Sequence, residues 1–243
     1  MRFVRLITLA HLWLGLLLGV QVILWMASGA VMSFFDIGLV RGETQAAAEI
    51  PKELPVRSYA NPGGPLAQTP GAVGLRLKFF LNRPVYEVRS GDGYRLFDAQ
   101  SGEEVSPITE EQAREVARRD FVGDGAVKTV RLLNDPPHEY RREVPVWQVT
   151  FTDDLETRLY ISPETGEVAA RRNKIWRFYD FFWMLHIMDY EGRTNFNNPL
   201  LRVFAATGLL FALTGLCLVV IRFRTPQAWL WRRRKSSRGA VAD

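Results

Sequence analysis

Two long apolar stretches, one near each end of the chain, limit what it can fold into, and each is associated with one histidine. Residues 6–35 are almost wholly apolar and carry no formal charge. A spanning helix needs about 20 apolar residues, so this stretch crosses a bilayer with length to spare. A cleaved signal peptide has an apolar core of roughly 7–15 residues. This stretch is longer, so an uncleaved anchor is the favoured reading, although Ser28-Gly29-Ala30 mimics a cleavage site. The second stretch, residues 199–221, has one charge, Arg202, near its start, where a long side chain snorkels to the headgroups. His11 lies just inside the first stretch and His186 just before the second. An ionisable side chain at membrane depth is expensive, so both histidines are candidates for chemistry.

Lysine and arginine bias sets the expected orientation. Arg2 and Arg5 precede the first span. Arg222, Arg224, Arg232, Arg233, Arg234, Lys235 and Arg238 follow the second. Both termini are therefore expected in the cytoplasm, with residues 36–198 outside. These two tails hold much of the basic surplus behind the net charge of +5, and the rest of the chain is slightly acidic. The high pI is thus a topology and lipid-anchoring signal, and nucleic acid is not an expected partner. Cys217 is the one cysteine, so an intramolecular disulfide and a cysteine metal cluster are both excluded.

The middle of the chain reads as a linker and a repeated module. Residues 36–74 hold seven charged side chains and Asn61-Pro62-Gly63-Gly64-Pro65, the composition of a linker with turns. Residues 75–174 contain two related runs, RPVYEVRSGDGYRLFDAQSGEEV from Arg83 and VPVWQVTFTDDLETRLYISPETGEV from Val144. Each has Pro-Val-aromatic-X-Val with the period-two alternation of a half-buried strand. A turn and a second alternating run follow. Ser90-Gly91-Asp92-Gly93 is a hairpin turn, and Asp153-Asp154 takes its place in the second copy. Between the copies, Thr109-Glu110-Glu111-Gln112 has the form of a capping box. Ala113, Val116, Ala117 and Phe121 follow as a helical stripe. The expected fold is membrane α plus soluble α+β: two transmembrane helices flanking a domain of two helix/antiparallel-sheet units. No nucleophile–base pair is apparent there, and His138 sits in a turn-rich loop as an exposed side chain.

The repeat and its flanking spans resemble the PepSY-domain membrane proteins, specifically the PepSY-associated transmembrane-helix family, over nearly the whole chain. The resemblance rests on His11-Leu12-Trp13-Leu14-Gly15, on Trp25-Met26-Ala27-Ser28-Gly29 with Met32, and on Val40-Arg41-Gly42-Glu43. Before the second span it rests on Trp183-Met184-Leu185-His186-Ile187-Met188-Asp189-Tyr190 and Asn195-Phe196-Asn197-Asn198-Pro199-Leu200. Larger four-span relatives look like haem-containing inner-membrane reductases for siderophore-bound iron. The resemblance therefore implies a short two-span relative with haem b as its cofactor. Relatives often carry histidines just after the first span, where Arg41-Gly42-Glu43-Thr44 has none.

On a helical wheel His11, Gly15, Gly19, Val22, Met26 and Gly29 or Ala30 share one face of the first span. Small residues beneath a histidine leave room for a flat porphyrin. The same Gly15-x-x-x-Gly19 spacing also permits close helix–helix contact, and the sequence does not separate the two uses. His11 as a haem-iron ligand competes with His11 hydrogen-bonded near the headgroups. His186 belongs to an aromatic stretch, residues 175–198, read as an interfacial helix and turn. Its ligand role competes with that of an amphipathic interface residue. The two histidines differ in depth, so one iron takes its pair from two chains. In a two-fold homodimer, paired His11 and paired His186 make two bis-histidine sites in a four-helix bundle. Arg193 and Arg202 outside, with Arg2 and Arg5 inside, are candidate partners for haem propionates. The expected function is electron transfer across the membrane to ferric iron, as a ferric chelate, or to a periplasmic redox protein. The alternative is a non-enzymatic, membrane-anchored binding or accessory subunit of a larger complex, or a peptidase regulator.

Overall fold

The structure is a computed structural model, and it describes residues 2–48, 53–54 and 58–224. The basic run of residues 232–238 lies outside the described residues. The chain divides into a helical unit, residues 1–34 and 180–243, and a mixed unit, residues 35–179.

In the helical unit, helix α1 (Arg2–Phe34) is unbroken because its 33 residues contain no proline and no interior charge after Arg5. Helix α6 (Pro199–Arg224) begins at a proline, whose missing N–H costs nothing in the first turn. Asn198 caps it, with Oδ1 accepting from the Leu201 N–H at 2.8 Å. Both helices are long and apolar enough to cross a membrane. They pack against each other, and their outer faces remain bare, with Leu16, Val20 and Ile23 on α1 and Leu209 and Leu216 on α6 all exposed. Helix α5 (Lys174–Ile187) supplies the rest of this unit from Asp180 onward.

The mixed unit is the expected repeat, refined in detail. Strands β1 (Gly74–Phe80), β2 (Arg83–Ser90) and β3 (Gly93–Asp98) form one antiparallel sheet in that order. Strands β4 (Val127–Leu133), β5 (Val146–Phe151), β6 (Arg158–Ile161) and β7 (Val168–Arg172) form the second, also antiparallel and in chain order. The two sequence copies are β2–β3 and β5–β6, each preceded by a strand, β1 or β4, that the repeat did not reveal. The capping box forms as expected and starts helix α4 (Glu110–Asp120). Ala113 and Ala117 of α4 are fully buried against Val149, Leu159 and Ile161 of the second sheet and Val85 and Leu96 of the first. The helices of the two units are unequal. The one before the first sheet, α3 (Gly63–Ala67), is a single turn.

Residues 36–74 are less of a linker than their composition suggests. Asp36 caps a short helix, α2 (Ile37–Arg41), by accepting from the Leu39 N–H. Ala46 and Ala47 bond to the end of α4, and Ala60 bonds to Ala99 while its carbonyl accepts from the Tyr86 hydroxyl. These contacts are long-range and leave no periodic trace in so short a run.

Two charge networks tie this unit together. Glu87 on β2 is 4% exposed and meets Arg76 at 2.6 Å and Lys78 at 2.5 Å. Both cations also reach Glu167 at the start of β7, so the network staples the first sheet to the second. Burial pushes the Glu87 carboxyl up, but hydrogen bonds from Arg76 and Lys78 outweigh it and hold the group below its ordinary value of 4.5. A carboxylate with a lowered native pKa stabilises the fold fully above its unfolded pKa, and that contribution is lost as pH falls through the native value. Thermal unfolding of the detergent-purified protein, followed by circular dichroism, should therefore show a melting temperature that drops below about pH 4.5. Glu87→Ala should be destabilised by about 2–3 kcal/mol at neutral pH, because two cations are left facing each other, and should lose part of that acid dependence. A Glu87→Ala protein with unchanged melting at pH 7 would contradict this account.

Candidate functional site

Each histidine of the helical unit is held by a hydroxyl on a neighbouring helix. The His11 ring on α1 lies flat on Phe211 of α6, with centroids 4.3 Å apart and planes 3° from parallel. Its Nδ1 is 3.0 Å from Thr214 Oγ1 and 3.2 Å from the Phe211 carbonyl oxygen. The Thr214 hydroxyl donates its own proton to that same carbonyl at 2.8 Å. With that proton on the carbonyl, Thr214 offers only lone pairs, which suits an Nδ1–H tautomer of His11 with the lone pair on Nε2.

The second site repeats the arrangement. Ser28 of α1 donates its hydroxyl proton back along its own helix, 2.6 Å from the Leu24 carbonyl oxygen and 3.1 Å from that of Trp25. His186 Nδ1 on α5 is 3.1 Å from Ser28 Oγ, and with the hydroxyl proton on the Leu24 carbonyl this contact suits an Nδ1–H tautomer too. Neither Nε2 has a hydrogen-bond partner among the described residues, and neither is enclosed. A histidine that ligates a metal through one ring nitrogen characteristically donates its other N–H to an oxygen, which fixes the tautomer and the ring orientation.

A glycine follows each hydroxyl in sequence, and at the first site it makes room for the ring: a Cβ on Gly215 would lie 2.9 Å from His11 Cε1, whereas one on Gly29 would sit at an ordinary contact distance, 3.6 Å, from His186 Cε1. Trp25 fixes the second site further, its indole N–H donating to the His186 carbonyl at 2.9 Å. At about 1.5 Å of rise per residue, His11 and Ser28 are about 26 Å apart along α1. The structure thus brings each imidazole to a hydroxyl partner and does not bring the two imidazoles together.

The other sequence-derived site residues fall as follows. Gly15 is a packing position: its Cβ would lie 3.0 Å from the Phe211 ring. Gly19 faces open space. Met26 is 72% exposed, off the packed face. That face runs through His11, Gly15, Leu18, Gln21, Trp25 and Ser28, a spacing nearer to 3.5 than to 3.6 residues, which is the seam of a left-handed helix pair. Arg193 pairs at 2.8 Å with Asp180, a carboxylate only 4% exposed, so its first anionic partner is within the chain. Arg202 is exposed on α6, and Arg2 and Arg5 are exposed on α1. His138 is exposed in its loop, as its turn-rich context suggests. Sequence reasoning missed Ser28, Thr214, Phe211 and Trp25 as partners of the histidines.

The connection between α5 and α6 satisfies itself. Asp189 accepts backbone N–H groups from Asn195 at 2.9 Å, Thr194 at 2.9 Å and Gly192 at 3.1 Å, which holds its carboxyl down at about 2. Asn198 Nδ2 donates to the Ile187 carbonyl at 2.9 Å, tying the end of α5 to the start of α6.

Two membrane-length helices flanking a duplicated strand module define a membrane protein with a folded domain between its spans in sequence. The chain belongs to the family described as the PepSY-associated TM region, whose model matches residues 8–243. Neither the curated proteins nor the solved structures include a match to it.

The glycine notch makes a clear prediction. Gly215→Leu forces the His11 ring off α6 and should lower stability by about 1–3 kcal/mol, as overpacking does. Cys217→Leu, on the exposed side of the same helix, should leave it unchanged within about 0.5 kcal/mol. Melting of the two variants in one detergent checks the pair, and equal melting would refute the packing described here.

Proposed function

We propose that this protein is a b-type haem protein of the bacterial cytoplasmic membrane that passes electrons outward, to ferric iron or to a periplasmic redox protein. The observation that carries the reading is the hydroxyl contact shared by the two imidazoles. Each Nδ1 lies against a hydroxyl oxygen that has a carbonyl of its own helix for its proton, and each Nε2 has no partner among the described residues, an arrangement that suits a haem-iron ligand. A histidine kept only for packing has no need of an unpartnered lone pair in an apolar setting. His11 and His186 would hold the haem iron through Nε2, with the matching histidine of a second copy of the chain at the same depth. Haem so held would supply one-electron chemistry. Thr214 and Ser28 orient the two rings, Phe211 restricts the rotation of His11, and Trp25 anchors the backbone at His186. Arg202, exposed on α6, is the candidate counter-charge for a propionate. The orientation, with both termini in the cytoplasm, follows from Arg2 and Arg5 and the basic C-terminal residues.

A second reading is favoured by a different feature of the same geometry. The His11 ring stacks fully on Phe211 and the His186 ring fits against Gly29, so helix packing already gives both imidazoles a role. On that reading the spans anchor a binding or accessory subunit of a larger complex.

Colour separates the two. Protein purified in detergent from cells with adequate haem should give sharp α-band and Soret features in a dithionite-reduced minus oxidised spectrum, at close to one haem per chain. His11→Ala and His186→Ala should each remove about half of the haem, and the double variant all of it. A double variant with full haem content, or a colourless parent protein, would leave the accessory-subunit reading standing instead.

A further inference from the structure

The outward face of the second sheet has a chemical character that the histidine sites do not explain. Side chains alternate across this sheet, and Val130, Val149 and Leu159 point into the core. The opposite face carries two cross-strand rows, Arg131–Gln148–Tyr160 and Thr129–Thr150–Arg158. With Lys128 at the β4 irregularity, all of these but the buried Tyr160 line a shallow groove of about 600 Å³, walled by the Asp135-Pro136-Pro137 loop, whose Asp135 is the one carboxylate in the lining against Lys128, Arg131 and Arg158.

The charge there is unbalanced. Glu139 is 8% exposed and accepts from the Tyr160 hydroxyl at 2.7 Å. Its carboxylate also meets Arg158 at 2.9 Å and Arg177 at 3.2 Å. Arg177 also reaches Glu156 at 3.6 Å, outside the groove. Burial pushes Glu139 up, but these partners outweigh it and keep the group ionised, so Arg158 is fixed in place. Lys128 and Arg131, both exposed, have no carboxylate partner among the described residues. The hydroxyls of Thr129 and Thr150 have no hydrogen-bond partner among them either. Gln148 is oriented by its bond from Nε2 to the Tyr160 hydroxyl at 2.8 Å. The larger groove of the mixed unit lacks this bias: Arg76, Arg89 and Arg142 line it together with Glu87, Glu143, Glu164 and Glu167.

We propose that this face binds an anion bearing phosphate or carboxylate groups, held by Arg131, Lys128 and Arg158 with the Thr129 and Thr150 hydroxyls as further donors. A guanidinium fixed by a buried carboxylate and free hydroxyl donors at strand spacing suit a planar or tetrahedral oxyanion with more than one charge. Such an anion comes either from solution or from a phospholipid headgroup. The proposal does not depend on haem.

The test uses the full chain in zwitterionic nanodiscs and inorganic pyrophosphate as the probe, followed by isothermal titration calorimetry. Saturable binding is expected, and Lys128→Gln/Arg131→Gln should weaken it at least about tenfold, since two charge-assisted contacts are lost. Both positions are exposed, and an unchanged melting temperature will show that the variant is folded. No saturable binding up to about 10 mM, a dissociation constant too weak to compete with ordinary solution anions, would overturn the proposal. So would equal affinity in the double variant. Repeating the titration in nanodiscs containing phosphatidylglycerol identifies the source. Lost pyrophosphate binding there means that the headgroup occupies the site, and unchanged binding means that the ligand comes from solution.

Discussion

A hydroxyl proton on a membrane-length helix has few places to go, and the arrangement of the helical unit follows from where two of them are placed. Ser28 and Thr214 each donate back to a carbonyl of their own helix, as a polar group surrounded by hydrocarbon must find an internal partner. That leaves each oxygen able only to accept, and the nearest donor in each case is an imidazole. The two resulting bonds fix α1 against α6 at one end and α1 against α5 at the other. The packing accommodates them: Gly215 leaves room for the His11 ring, which lies flat on Phe211.

The mixed unit solves a different problem. Its sheets are small, and apolar burial joins them where Phe80, Val85 and Leu96 of the first meet the core under α4. Beyond that contact the connection is ionic. Glu87 and Glu167 share Arg76 and Lys78 across the two repeats. Glu139 gathers its partners from β6, from α5 and from the Tyr160 hydroxyl. Both central carboxylates are deeply buried, so removing either takes the closest partner from two cations, whereas the exposed pairs on α4, such as Arg119–Glu115, matter far less.

The sequence made legible whatever depends on local period. The spans, the strand pairs of the repeat, the Ser90–Gly93 hairpin and the Thr109–Gln112 capping box are all written within a dozen or two residues. The first strand of each sheet, β1 and β4, lay outside the repeated run and so escaped notice. The wheel drawn at 3.6 residues per turn placed Met26 on the packed face, where a supercoiled seam takes Trp25 and Ser28. The hydroxyl partners of the histidines were invisible for another reason: Ser28 and His186 are 158 positions apart, and His11 and Thr214 are 203. A signal did exist. Ser28-Gly29 and Thr214-Gly215 are both hydroxyl–glycine pairs, a donor or acceptor next to a notch, and each span holds one that meets a histidine. Reading Gly15 and Gly19 alone drew attention to spacing when the informative unit was the dipeptide.

The turn between α5 and α6 deserves to be seen as a solvation problem. Most loops rely on water to complete their backbone hydrogen bonds, and this confines them to bulk solvent. Here Asp189 collects the N–H groups of Gly192, Thr194 and Asn195, while Asn198 takes the Ile187 carbonyl. A segment that supplies partners for part of its own backbone leans less on the local activity of water. These bonds hold the helix ends on either side even where water is scarce and anionic oxygens compete for amide protons.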